Sequence, residues 1–209
     1  MSMEVGIGSS SIYPKILPQS FKSTILSDEI VDNILKKWQR NPMLIPFISK
    51  VTINISVGAI QERLDKAVIL LERLTNRKPS IRRAKKTIKS FGISKKQPIA
   101  AVVTLRGSDA YRFLRDALIA VNNTLSEKSF DPYGNVAFGI KEHLLLPGSR
   151  YDPNIGIFGM DVAVTIERKG YRVARRRVKK GSIPRRHRVT KEEGMLLMEL
   201  LFGVKITKA

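Results

Sequence analysis

The sequence contains no cysteine. Disulfides and thiolate metal sites are therefore excluded, in keeping with a reducing cytosol. Histidine is almost as scarce, with two residues. His143 and His187 stand far apart with different flanks, so they lack the clustering of zinc ligands. For His143, which reads as part of a strand beside Glu142, a hydrogen-bonded structural role is preferred to general-base chemistry. No run approaches the eighteen or so uncharged apolar residues that a membrane span needs, and the N-terminus lacks the basic-then-apolar order of a signal peptide. There is no phosphate-binding P-loop, and Gly156 and Gly159 miss the dinucleotide fingerprint. An RNA-modifying enzyme would need a cofactor pocket or a catalytic acid/base pair, and the sequence offers neither. It reads as non-enzymatic, with no cofactor and no metal.

Negative charge is the most telling scarcity: 18 acidic residues face 38 basic ones, for a net charge of +20. The excess is concentrated. Residues 77–96 hold nine basic groups and no acid, and residues 168–191 hold twelve and no acid. The rest of the chain is essentially neutral. Uncompensated like charges held close together repel one another unless phosphates lie opposite them, so the pattern points to a polyanion. The expected contacts are Arg82, Arg83, Lys85, Lys86 and Lys89 in the first stretch, and Arg175, Arg176, Arg177, Arg185, Arg186, His187 and Arg188 in the second. Phe91 and Tyr171 punctuate the two stretches and are read as packing residues in preference to base-stacking ones.

What remains is an ordinary globular body. Its 209 residues, 43% hydrophobic, are enough for one core. Residues 1–23 mix Gly, Ser and Pro without a period and are expected to form a flexible arm before a single domain over 24–209. Ile30, Ile34, Leu35 and Trp38 mark one helix face, opened by Asp28 and Glu29 and closed at Asn41-Pro42. Val51, Ile53, Ile55 and Val57 alternate with polar residues in the clearest strand, which carries Asn54 on its polar face. Helical spacing returns over 60–75, and a strand follows at 98–106. A second long helix is expected to be capped by Ser108 or Asp109, with Tyr111, Leu114, Leu118, Val121 and Leu125 on its face. Strands are expected at 136–140 and 161–167, and Thr190 with Glu193 is a capping-box pair that opens the last helix. The fold class expected is α+β: an open, mainly antiparallel sheet with helices packed on one side. Asn54, Thr104 and Arg106 then lie on or beside the open sheet face, where neutral and cationic donors suit sugar hydroxyls and backbone oxygens.

The segments RAKKTIKSFGI (83–93), PIAAVVTLRG (98–107), FDPYGN (130–135), FGIKEH (138–143), YDPNIGIFGMD (151–161) and IPRRHRVTKEE (183–193) occur in one collinear order. Together they resemble the universal 5S-rRNA-binding proteins of the large ribosomal subunit, the ribosomal protein L-five family, and the last segment resembles its archaeal and eukaryotic branch. The resemblance implies a structural protein of the central protuberance, in the cytoplasmic ribosome, with 5S rRNA, large-subunit rRNA, P-site tRNA and neighbouring ribosomal proteins as partners. It assigns 5S rRNA contacts to Asn54, Thr104 and Arg106, and to Arg77, where the family carries Gln. It also assigns the loop from Arg82 to Lys96 to the tRNA elbow. The competing expectation is a basic protein that compacts nucleic acid without specificity.

Overall fold

The computed structural model describes residues 21–208. Five strands form an antiparallel sheet: β1 (Phe47–Ser56), β2 (Ser80–Arg83), β3 (Pro98–Leu105), β5 (Val136–Ile140) and β6 (Met160–Glu167), in the order β2-β3-β1-β6-β5. The alternation of β1 places Val51, Ile53 and Ile55 on one face, all buried, and Thr52 and Asn54 on the other. Register carries that division across the sheet. Ile53 stands beside Val103 and Val162, and Thr52 beside Thr104 and Ala163. One face is therefore apolar and the other is built from small and polar side chains.

The apolar face is covered by α2 (Gln61–Thr75), α3 (Ser108–Ala120) and α5 (Lys191–Phe202), which supply Leu64, Leu71, Leu114, Leu118 and Met198 to the main core. This is the expected α+β arrangement. α1 (Asp28–Arg40) joins through a smaller cluster, in which Val31, Leu35 and Trp38 pack with Leu196 of α5. Because α5 serves both clusters, every residue from Glu193 to Glu199 is buried, as befits a helix that is packed nearly all round. The expected capping box is present: Thr190 Oγ1 accepts from the Glu193 N–H and Glu193 accepts from the Thr190 N–H.

Several local expectations are corrected. The N-cap of α3 is Gly107, not Ser108 or Asp109; its φ of +60° lets the chain turn sharply out of β3. Leu125 lies beyond that helix, in β4 (Thr124–Ser126), which pairs in parallel with β7 (Lys205–Thr207). His143 sits in a 3-10 turn, not a strand. β2 was not expected at all: all four of its residues are exposed, so it lacks the alternation by which strands are read. Most of the arm expected over 1–23 lies outside the described residues. At its end, Ser23 Oγ accepts from the Leu26 N–H, and Phe21 packs against the α1 cluster.

Candidate nucleic-acid interface

The first basic stretch is a two-legged hairpin standing off one end of the sheet. Its legs continue the β2–β3 ladder: the Ala84 and Gln97 backbones pair at 2.8 Å, and Ile88 and Ile93 exchange N–H···O bonds of 2.8 and 3.1 Å. Lys95 N–H also donates to Thr87 Oγ1 at 3.0 Å. The loop is thereby held extended by its own backbone. Arg82, Arg83, Lys85, Lys86 and Lys89 are exposed and have no ion-pair partner among the described residues. Phe91 at the tip is exposed, contrary to its reading as a packing residue.

At the opposite end of the same edge, Arg77, Lys78, Ser80, Thr104, Arg106 and Asp109 line an open groove of about 440 Å³. Thr104 is exposed and aligned with Thr52. Arg106 is positioned by an irregularity in β1. A bulge at Ser49 leaves that residue outside the ladder, and its carbonyl accepts from Arg106 Nη1 at 3.3 Å. No further partner of this guanidinium is found among the described residues. Arg77 is different, because Asp109 binds its Nη2 at 2.7 Å. The reading of 77–96 as wholly uncompensated is therefore corrected at its first residue, since the acid lies outside the run.

Asn54 is not in this groove. It lines a second depression with Ser56, Gly139, Lys141 and Asp161, between β1, β6 and β5. The structure thus brings Arg77, Thr104 and Arg106 together and sets Asn54 apart on the same open face. Asp161, 3.4 Å from Asn54 Nδ2, was missed, although the alternation of β6 already placed it on the open face.

The second basic stretch lies beyond β6, at the sheet end away from the hairpin, and is only partly free. Arg168 is fully buried: its Nη2 meets the Glu193 carboxylate, and Nη1 donates to the His187 and Arg188 carbonyls at 3.3 and 3.2 Å. Arg175, in the single turn α4 (Arg172–Arg175), pairs with the buried Glu167. Lys191 lies 2.8 Å from Glu127 and holds that carboxyl below its ordinary value. The stretch is acid-free in sequence but not in space. Arg176 Nε donates to the Lys179 carbonyl at 2.7 Å. The His187 ring contacts the Lys169 carbonyl at 2.8 Å and leans on Tyr171, so it organises the segment internally. Arg188 lies over the Tyr133 ring. Arg177, Arg185 and Arg186 remain exposed without an ion-pair partner among the described residues.

His143 has the hydrogen-bonded role expected of it. It is buried, its Nδ1 accepts from the Phe158 N–H at 3.3 Å, and burial lowers its pKa below the ordinary histidine value. Among the described residues no cluster of acids and histidines is arranged to hold a metal, and no helix is long and apolar enough to cross a membrane.

Residues 41–93 match the family model described as Ribosomal protein L5, and residues 98–197 match the model for the C-terminus of the same ribosomal family. Among curated proteins, the chain is 53% identical over 184 residues to the large ribosomal subunit protein uL5 of Aeropyrum pernix, covering 88% of this chain and 96% of that one. It is 55% identical to the protein of the same name from Sulfurisphaera tokodaii, over 80% of this chain and 96% of the relative. For the Archaeoglobus fulgidus protein the identity is 54%, over 79% and 93%.

Proposed function

The chain belongs to the ribosomal protein L5 family, and from that premise we propose that it is a structural, non-catalytic component of the large ribosomal subunit that grips 5S rRNA with its open sheet face and reaches the P-site tRNA with its basic hairpin. The observation that carries the reading is the groove holding Thr104 and Arg106 at the sheet edge, with the exposed cations of 82–89 projecting from the same edge. Phosphate neutralisation supplies most of the affinity in such an arrangement, while fixed donors on the sheet supply the fit to one RNA shape. Arg177, Arg185 and Arg186 suit large-subunit rRNA at the other end of the sheet. This division of labour suits a position in the central protuberance of the cytoplasmic ribosome, beside other ribosomal proteins.

The rival reading is charge-driven compaction of any nucleic acid. Competition binding separates the two. At matched salt, 5S rRNA should displace an unrelated RNA hairpin and duplex DNA at concentrations at least about tenfold lower than either displaces it. Equal competition by all three would leave only the compacting protein.

A further inference from the structure

A groove of about 650 Å³ lies between the β5–β6 end of the sheet and the second basic stretch, lined by Tyr133, Thr165, Tyr171, Lys180, Ile183 and Arg188 among others. We propose that it is a binding pocket for an unpaired RNA nucleotide, with the base lodged between Tyr133 and Tyr171 and the phosphates on Lys180 and the neighbouring arginines. The inference rests on the RNA-binding reading above, but not on which RNA is bound.

The turn that carries Tyr133 and the ring of Tyr171 are both held by contacts within the protein. Tyr133 projects from a turn locked by Asp131, whose Oδ1 accepts from the Tyr133 and Asn135 N–H groups at 2.9 and 2.7 Å. Asn135 Oδ1 in turn accepts from the Ile166 N–H at 3.0 Å and ties the turn to β6. The middle residue must be glycine: Gly134 has φ of +74°, and a Cβ there would stand 2.7 Å from the Thr190 carbonyl oxygen. Tyr133 nevertheless remains 51% exposed, with the Arg188 guanidinium 5.4 Å from its ring centroid. Tyr171 is steadied by the His187 ring, 6.0 Å away centre to centre, and His187 is anchored on the Lys169 carbonyl.

A fixed, half-exposed tyrosine with a cation on it costs little entropy to use and offers a sequence-tolerant stacking surface. The one acid in the lining, Glu167, is already neutralised by Arg175 and does not repel a phosphate. The cations of the lining are Lys180 and Arg188, both on the second basic stretch. Charge complementarity thus selects a polyanion, and the aromatic lining selects one that carries bases.

The test compares the full-length protein's affinity for a labelled uridine hexanucleotide with that for an abasic hexamer bearing the same phosphates. The parent should bind the base-bearing strand about tenfold more tightly, in line with the usual effect of one stacked base. The Tyr133→Ala/Tyr171→Ala variant should lose that preference while keeping its affinity for the abasic strand. Tyr133→Phe/Tyr171→Phe, which keeps both rings, should retain the preference and so guards against misfolding. Equal binding of the two strands by the parent, an unchanged preference in the double Ala variant, or tighter binding of an oligoglutamate peptide would each overturn the proposal. Loss of selectivity for 5S rRNA with the hexamer preference intact would count against the 5S reading alone.

Discussion

The side-chain amide of Asn54 is held from behind by Asp161: Nδ2 donates to Ser56 Oγ at 3.1 Å and lies 3.4 Å from Asp161 Oδ2. With the Nδ2 end engaged by these two neighbours, the carbonyl end is left to accept from a ribose hydroxyl or a base amine. Asp161→Ala should release the amide and weaken 5S rRNA binding about three- to tenfold in a filter-binding assay. It should leave affinity for an unrelated hairpin unchanged or raised, because a negative charge has been removed from the face. If Asp161→Ala and Asn54→Ala prove additive in a double-mutant cycle, the two side chains act separately.

Arg106 and Arg77 share a groove but not a state. Among the described residues Arg106 is tethered to a backbone carbonyl alone, whereas Arg77 must part from Asp109 before it meets a phosphate. Replacing Arg106 with Ala should cost about 1–3 kcal/mol of 5S rRNA binding. Arg77→Ala should cost clearly less, and Asp109→Ala should strengthen binding by freeing Arg77. An equal loss from the two arginine substitutions in competition titrations would show that the Arg77–Asp109 pair does not persist against RNA.

Glu193 joins three parts of the fold: it caps α5, receives Lys37 of α1 at 3.0 Å, and meets the buried Arg168 at the root of the second basic stretch. Removing one member of a buried pair strands the other charge, at about 3–5 kcal/mol. Glu193→Ala should therefore lower stability by about that amount in urea unfolding, and Arg168→Ala should behave similarly. Replacing both together with Met at each site should recover much of the loss, since well-packed apolar pairs substitute for buried ion pairs. Failure of the double variant to recover would place the destabilisation in the cap and in the His187 and Arg188 carbonyls that Arg168 serves, rather than in the ion pair.

These features differ in how far the sequence exposes them. The β1 alternation and the Thr190–Glu193 capping box are local signals, written within one strand or one turn, and both stand as read. Arg168 looked like one cation among twelve because its partner, Glu193, lies beyond the end of the basic stretch, and only the packing of α5 against the end of β6 brings the two together. The pairing of Arg77 is hidden for the same reason, with Asp109 on α3. β2 escaped notice because an exposed edge strand has no buried face to impose a period. Thr104 was legible as an open-face position, but the tether of Arg106 was not, since it depends on a bulge that leaves no mark in the sequence of β1.

The hairpin should act through charge alone. Lys85, Lys86 and Lys89 are exposed and have no ion-pair partner among the described residues. Changing all three to Ala should reduce the dependence of log K on log salt by about 0.7–0.9 for each phosphate that is no longer neutralised. The ratio of 5S rRNA to control-hairpin affinity should stay constant. A change in that ratio across a salt titration would give the loop a share in specificity.

His143 makes stability depend on pH in a defined direction. Burial is the chief reason its folded-state pKa is lowered; the Phe158 backbone and Glu142 oppose the shift without overcoming it. Below the ordinary value of 6.5 the unfolded chain takes up a proton that the folded chain still refuses, so stability falls as pH drops through that value toward the depressed folded pKa. Above 6.5 both states are neutral and the contribution is flat. The urea midpoint should therefore decline from about pH 7 to about pH 5 more steeply in the parent than in His143→Gln, whose amide oxygen can accept from the Phe158 N–H but does not titrate. Parallel slopes for the two proteins would assign the acid sensitivity to carboxylates elsewhere.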